Sequence, residues 1–474
     1  MASLQTNSPI ASQLLVDLER GGGVALHRQL ELTLRDGIRS GRLAAGTALP
    51  ATRTLAAELG VSRGIVVEAY SQLVAEGYLT SRGGGYTHVA LDRDTRRQPR
   101  APETPVKTSP AEIDFGYGRA NVAAFPRQAW LRSVRRVLSE APDESFSYPD
   151  GQGAGTLREA LADYLNRVRA TVARPENLVV TNGYAQGIAL LLELLAARGA
   201  RRLAVEDPCA NDDARLLAAK VGMDLVGVPV DGDGVRVDAL ERLQADALIL
   251  TPSHQWPTGA VLSAEARAAV VAWSLRTGAL IVEDDYDAEY RYDRAPIGAI
   301  QGLAPDQVAY AGTASKTLAP AFRLGWFVLP SALLAPFAAA KLLADRGSPV
   351  IDQLTFADFL RRGEFDRHLR RMRPIYQERR DALVAELGRR LPQLRPSGIA
   401  AGLHLVAWLP DELPEAALVQ AARQRGLAIA GVAPYRLAPA PPGGLIFGYS
   451  DLSTTAVRRG VRLLEQAVAD VSGS

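Results

Sequence analysis

The sequence predicts an α/β chain. A large domain with a mixed, mainly parallel sheet and a small C-terminal α/β subdomain follows an N-terminal winged helix-turn-helix. Three observations carry this. Apolar runs such as Asn177–Val180, Arg202–Glu206 and Ala279–Asp284 end in acids or in glycine-bearing turns, as buried parallel strands with functional C-terminal ends do. Residues 49–63 read as helix, glycine turn and second helix, with a glycine-rich hairpin beyond. A proline-rich stretch separates the two patterns, and 474 residues suit one small and one large domain.

The N-terminal domain is expected over residues 11–91. In Leu49-Pro-Ala-Thr-Arg53-Thr-Leu-Ala-Ala-Glu-Leu-Gly60-Val-Ser62-Arg63, Gly60 ends a short helix and Ser62 is the expected N-cap of the next. Leu55, Leu59, Val61, Val66, Val67, Tyr70, Leu73 and Val74 supply apolar residues at helical spacing. Glu76–Val89 reads as a two-stranded wing around a glycine turn. The second helix of such a module enters the major groove N-terminus first. Arg53, Ser62, Arg63, Gly64, Arg82 and Gly84 are therefore the candidate DNA contacts. A bidentate arginine–guanine contact discriminates by about 1–3 kcal/mol.

Asp92–Ala111 contains Pro99, Pro102, Pro105 and Pro110 and lacks apolar periodicity, which predicts an extended, semi-rigid linker over 92–111. The large domain is expected over 112–474. Within it, Leu157–Arg167, Ile188–Ala197 and Tyr376–Arg390 read as helices. Leu403–Leu409 and Leu445–Tyr449 read as strands of the C-terminal subdomain.

The chemistry concentrates in Gly312-Thr-Ala-Ser-Lys316-Thr-Leu-Ala-Pro-Ala-Phe-Arg323-Leu-Gly-Trp. One amine, two hydroxyls and one guanidinium suit an aldehyde that also carries a phosphate. A lysine condenses with the aldehyde. Thr313 and Ser315 can hydrogen-bond phosphate oxygens, and Arg323 can clamp them. The chain has only four lysines, Lys107, Lys220, Lys316 and Lys341, so a lysine here is set apart from the general use of arginine. Asp284 lies 32 residues before Lys316, about one strand–crossover–strand unit. A carboxylate there can pair with a protonated pyridine nitrogen. At ~4 Å and an effective dielectric of ~20 the attraction is roughly 4 kcal/mol before desolvation. Tyr286 can donate to a ring oxygen. Of Asp284, Asp285 and Asp287, at least one is expected to be a solvated strand end.

These residues resemble fold-type I aminotransferases dependent on pyridoxal 5'-phosphate (PLP), over about residues 112–474. Thr181-Asn-Gly-Tyr-Ala-Gln-Gly187 resembles the phosphate cup of that family, Tyr148-Pro-Asp-Gly-Gln-Gly153 its glycine-rich segment, and Thr251-Pro-Ser-His-Gln-Trp-Pro-Thr-Gly259 its ring-contacting loop. Residues 20–90 resemble the GntR-type reader through Leu-Pro-x-x-Arg, Leu-Gly-Val-Ser-Arg and Glu-Gly-Tyr-Leu. The combination resembles the MocR/GabR family of transcriptional regulators. That resemblance implies a bacterial, cytoplasmic, head-to-tail homodimer that binds a double-stranded DNA operator and responds to PLP or a small amine. It implies that Lys316 holds PLP, that Asp284 meets the ring nitrogen and Tyr286 the ring oxygen. It also implies that Gly183, Tyr184, Ala185, Thr313, Ser315 and Arg323 hold the phosphate, that Tyr148 crosses from the other subunit, and that His254 lies on the ring-contacting loop. Arg53 would read mostly phosphate and Arg63 a base edge.

The sequence departs from the family patterns in four places. Asp207-Pro-Cys-Ala-Asn211 lacks the stacking tyrosine, and Trp256 stands where an asparagine is common. The strand Leu445–Tyr449 lacks the arginine that binds a substrate α-carboxylate, and Arg436 is the cation nearest to replacing it. In the reader, Gly64 and Ile65 replace small hydroxylated residues. A PLP- or amine-responsive regulator is therefore expected rather than a physiological enzyme. The rivals are an active aminotransferase with an accessory N-terminal module and a DNA-binding protein whose large domain only dimerises.

Composition agrees. The formal net charge is +2, and residues 1–110 hold 13 Lys or Arg against 10 Asp or Glu, so DNA binding must come from a local patch. Cys209 is the single cysteine, which rules out an internal disulfide, fits a reducing compartment and reads as a small buried hydrophobe. No apolar run is long enough for a membrane span, no secretory leader is expected, and no metal site is expected.

Overall fold

The computed structural model describes residues 18–21, 23–82, 86–90, 111–209, 211–292, 297–398 and 400–472. The chain divides into two units, residues 1–108 and 109–474. The expected linker residues 92–110 and the wing turn with Gly84 lie outside the described residues, as does the side chain of Arg82.

The N-terminal unit runs α1 (Leu26–Arg39), β1 (Ala48–Leu49), α2 (Thr52–Glu58), α3 (Arg63–Ala75), β2 (Leu79–Arg82) and β3 (Tyr86–Val89). Strands β2 and β3 pair antiparallel, and β1 joins β3 as a third strand that the sequence did not announce. Val66, Ala69, Tyr70 and Leu73 form the buried stripe of α3 against Leu30, Leu34 and Leu55. Two expected core residues are corrected: Val67 and Val74 are 40% and 38% exposed. At 3.6 residues per turn they fall on the edge of the stripe that 66, 69, 70 and 73 define, and Ala69 takes the inward place. Ser62 stands at the N-cap of α3 in extended backbone, but its side chain makes no capping bond.

The second unit is built on an eight-stranded sheet. In chain order the elements are β4 (Ile113–Asp114), α4 (Arg127–Glu140), α5 (Gly155–Arg169), β5 (Leu178–Thr181), α6 (Tyr184–Ala197), β6 (Arg202–Asp207), α7 (Asn211–Val221), β7 (Asp224–Asp231), β8 (Gly234–Val235), α8 (Val237–Glu241), β9 (Ala247–Leu250), α9 (Ala264–Thr277), β10 (Leu280–Asp285), β11 (Val308–Thr313), β12 (Gly325–Val328), α10 (Ser331–Asp345), α11 (Val350–Arg361) and α12 (Glu364–Arg390). The sheet order is β5-β12-β11-β10-β9-β6-β7-β8. β12 runs antiparallel to both β5 and β11, and β8 runs antiparallel to β7. The remaining pairs are parallel, so β5, β6, β7, β9, β10 and β11 end on one side.

Alternation along the strands fills both faces. Leu203, Val205, Ile249 and Val282 pack on one side with Ile188, Leu191, Leu195 and Phe337. Ala204, Leu248 and Ile281 pack on the other with Val270 and Trp273 of α9. This period of two under helices on each face is the reason the strands read as unbroken apolar runs. Each fully buried Leu, Ile or Phe contributes about 1.5–3 kcal/mol.

The C-terminal elements are β13 (Arg395–Ser397), β14 (His404–Trp408), α13 (Glu415–Gln424), β15 (Leu427–Ala428), β16 (Ala430–Gly431), β17 (Gly444–Gly448) and α14 (Thr454–Ser472). They form a four-stranded sheet ordered β13-β14-β17-β16, with Val406 opposite Ile446. β15 pairs with β4, which ties the start of the unit to its end. Helix α12 starts at Glu364, well before the expected Tyr376, and passes through Pro374. An interior proline costs a helix about 3 kcal/mol. Burial of Phe365, Leu369, Met372 and Tyr376 on one face offsets that.

Candidate functional site

The strand ends of the large sheet open into a cavity of about 320 Å³. The sheet order decides which residues meet there. β10 and β11 are parallel neighbours with Asp284 beside Ala311, so the acid strand and the strand leading to Lys316 end together. Strand β6, next to β9 on its far side from β10, brings Glu206 to the same rim. Ligand sites at the carboxyl ends of such strands are the rule for open α/β sheets.

Lys316, Asp284, Tyr286, Tyr184, Ala185, Thr313, Ser315 and Arg323 line this one cavity. The Lys316 Nζ donates to the Gly118 carbonyl at 2.7 Å. Burial and the Arg323 charge hold its amine below the usual lysine pKa, against Asp284 and Asp287, which favour the ammonium. A lowered amine pKa is what condensation with an aldehyde needs. Burial and neighbouring Asp285 push the Asp284 carboxyl up to about 8. The Tyr286 hydroxyl donates to the His254 carbonyl at 3.0 Å, and burial with Asp287 raises its pKa.

The candidate phosphate end is built around Gly183. It caps α6 at φ 82, the left-handed region that favours glycine. A Cβ there would lie 2.6 Å from Arg323 Nη2. Arg323 is itself left-handed at φ 50 and donates to the Asn182 carbonyl at 3.1 Å. Thr313 Oγ1 and Ser315 Oγ stand 3.0 Å apart. A helix N-terminus, two hydroxyls and a guanidinium make a donor set that fits a phosphate. With Lys316 for the aldehyde and Asp284 for a pyridinium, the residues present fit PLP.

Other candidates lie elsewhere. His254 is buried, with Nδ1 2.9 Å from Asp287 Oδ2, and does not line the cavity; Thr251 and Trp256 are the residues its loop presents there. Tyr148 is 91% exposed and outside the cavity. Arg436 donates to the Pro442 carbonyl at 3.0 Å and lines a separate cavity with Trp408 and Pro208. The expectation of a solvated acid at the end of β10 is overturned. Asp285 pairs with buried Arg169 at 2.7 Å and accepts from Tyr310 at 2.6 Å, while Asp287 is held by His254. Alternation turns Asp285 away from Asp284, and the arginine comes from the end of α5.

Sequence reasoning missed Glu206 and Tyr117. Glu206 accepts from the Thr251 N–H at 3.0 Å and its hydroxyl at 2.7 Å, and burial pushes its carboxyl up to about 7. Its one signal was position, just before the divergent Asp207-Pro-Cys run. Cys209 lines the cavity too, and burial and Glu206 raise its thiol pKa.

In the N-terminal unit, Arg53, Ser62, Arg63 and Gly64 are exposed around the start of α3. Arg63 Nε reaches Thr52 Oγ1 at 3.4 Å, which places the first turns of α2 and α3 together.

Fold and cavity thus define a protein in which a helix-turn-helix reader is followed along the chain by an aminotransferase-like PLP domain. Residues 114–444 match the family of class I and II aminotransferases, and residues 26–89 match the gntR family of bacterial regulatory proteins. The chain is 33% identical to the probable rhizopine catabolism regulatory protein MocR of Rhizobium meliloti, over 96% of each chain. It is 33% identical to the HTH-type pyridoxine biosynthesis transcriptional regulator PdxR of Corynebacterium glutamicum, covering 93% of this chain and 95% of that one. Among solved structures it resembles LysN, the α-aminoadipate aminotransferase of Thermus thermophilus complexed with N-(5'-phosphopyridoxyl)-L-leucine. That likeness has a TM-score of 0.68 at 25% identity, over 76% of this chain and 93% of that one. Pyrococcus horikoshii kynurenine aminotransferase shares the fold with a TM-score of 0.70 at 22% identity, over 77% and 92% of the two chains. The chain belongs to the MocR-type transcriptional regulators, in which a GntR-type DNA-binding domain is fused to a class I and II aminotransferase domain, and its cofactor is PLP. Among the described residues no helix is long and apolar enough to cross a membrane.

Proposed function

We propose that PLP at Lys316, or an amine that reaches it there, sets how tightly a homodimer of this chain holds its operator in the bacterial cytoplasm. The observation that carries this is the joint presence of a full cofactor donor set and of two exposed arginines at the start of α2 and α3. When bound, PLP supplies an aldehyde and an electron-withdrawing ring. The protein's part is to hold the phosphate, fix the ring nitrogen at Asp284 and keep the Lys316 amine poised. Efficient transamination is not its task. Among the described lining residues the only guanidinium is Arg323, which belongs to the phosphate end, so an α-carboxylate has no anchor. Exposed Tyr148 and Phe146, 91% and 48% accessible in the single chain, support a partner subunit over that segment, with Tyr148 reaching its cofactor.

The effector acts only through its different affinity for the DNA-competent and incompetent arrangements. Couplings of this kind are about 1–3 kcal/mol. The test is binding to DNA from upstream of the chain's own gene, at fixed salt, with and without saturating PLP and an amine panel. Specific binding that shifts with PLP or an amine is expected. Specific binding that nothing in the panel moves would leave the large domain as a scaffold. No specific binding, with turnover of amino donor and oxo acid, would favour the enzyme.

A further inference from the structure

One wall of the cavity is aromatic. Tyr117 and Trp256 line it with ring centroids 4.7 Å apart. Tyr435 braces both from behind, nearly perpendicular to each, at 5.8 and 4.5 Å. The Tyr117 and Tyr435 hydroxyls are 2.8 Å apart, which locks segments 318 residues distant into one wall. Leu403 and His404 continue it. His404 donates Nε2–H to the Pro257 carbonyl at 3.1 Å, and burial with His254 nearby keeps its pKa well below the usual value, so the ring is neutral.

Charge along the lining is uneven. Among the described lining residues the cations are Lys316 and Arg323, and the acids are Glu206 and Asp284. Arg323 is committed beside Gly183 and Lys316 to the cofactor. A carboxylate against Tyr117 and Trp256 would lose water without gaining a cation among the described lining residues there. An alkyl or aryl body would gain burial and ring contacts there.

We infer that the ligand accepted beside Lys316 is a primary amine with an apolar, preferably aryl, body and no carboxylate, seated on the Tyr117–Trp256 wall. This rests on the reading of the cavity as a PLP site. The test uses the full-length PLP-loaded protein and compares three amines, by calorimetry and by the visible absorbance of the bound cofactor. 2-Phenylethylamine and L-phenylalanine differ only in the carboxylate; methylamine lacks the body. Phenylethylamine is expected to bind at least about tenfold tighter than either. In Trp256→Leu its advantage over methylamine is expected to fall severalfold, and Tyr117→Leu gives the same comparison on the other ring. Phenylalanine binding as tightly as phenylethylamine, or methylamine as tightly, would overturn the inference. PLP held with no amine bound would overturn it and leave the PLP reading standing. A protein that holds no PLP would overturn both.

Discussion

Replacing Asp284 by asparagine should stabilise the cofactor-free protein while weakening its grip on PLP. In the folded chain burial and Asp285 push the Asp284 carboxyl from 3.8 to about 8. An acid whose folded pKa lies above its unfolded one favours folding less as pH rises. Below 3.8 it is protonated in both states and costs nothing. Between 3.8 and about 8 each pH unit removes about 1.4 kcal/mol of stability. Asparagine has no such slope. The stabilisation by Asp284→Asn is at most about 2 kcal/mol at pH 5 and about 5 kcal/mol at pH 8. Water reaching the carboxylate through the cavity lowers both figures, so the advantage should grow by about 2–4 kcal/mol across that range. Urea unfolding of the large domain at the two pH values measures it. An advantage that does not grow with pH would refute the burial argument.

The same substitution removes the ion that a pyridinium needs. The pair attracts by roughly 4 kcal/mol at ~4 Å and an effective dielectric of ~20. After desolvation about 2 kcal/mol remains, or about thirtyfold in affinity. Equilibrium dialysis with PLP at about pH 7.5 reads this directly. Unchanged PLP affinity in Asp284→Asn would remove Asp284 from the ring nitrogen.

Other expectations follow from the same geometry. In Lys316→Ala, borohydride should no longer fix PLP to the protein, as read by intact mass. Gly183→Ala combines a left-handed backbone with a Cβ 2.6 Å from Arg323 Nη2, so PLP affinity should fall about tenfold or more in a fluorescence titration. Arg63→Ala should weaken operator binding by about 1–3 kcal/mol and relax base preference, as measured by competition at constant salt. Arg169→Met leaves Asp285 buried without its ion pair, which should cost about 3–5 kcal/mol in urea unfolding.

Much of this was legible because it is local. Glycine and polar residues after Val180 announce the cup, and the alternating faces of the sheet announce strands without naming their neighbours. Helix α6 begins at Tyr184 rather than Ile188 because Gly183 caps it at once. What stayed hidden depends on contacts far apart in the chain. Asp285 reads like Asp284 until Arg169, 116 residues away, is placed against it. Glu206 and Tyr117 reach the cavity only through the strand order and the fold-back of the C-terminal subdomain, neither of which a periodicity contains. Val67 and Val74 misled because apolar type was counted without fixing the phase of the stripe.

Burial gives the cofactor site its leverage. Lys316 is held below its ordinary pKa, while Asp284 and Glu206 are pushed up to about 8 and about 7, so all three are biased toward neutrality. A cofactor with an anionic phosphate and a cationic ring reverses that bias at Asp284. On the proposed reading, its binding would couple to any arrangement of the wall that changes how deeply these groups are buried. Moving a two-state regulator from 1:99 to 99:1 takes about 5.5 kcal/mol of differential affinity. A coupling of about 1–3 kcal/mol changes DNA affinity only about 5- to 150-fold, so the chain needs only part of the site's electrostatic free energy to differ between states. The braced wall of Tyr117, Trp256 and Tyr435 links the strand ends to the C-terminal subdomain. On the proposed reading, a ligand seated against it would touch both, and could favour one arrangement without any turnover.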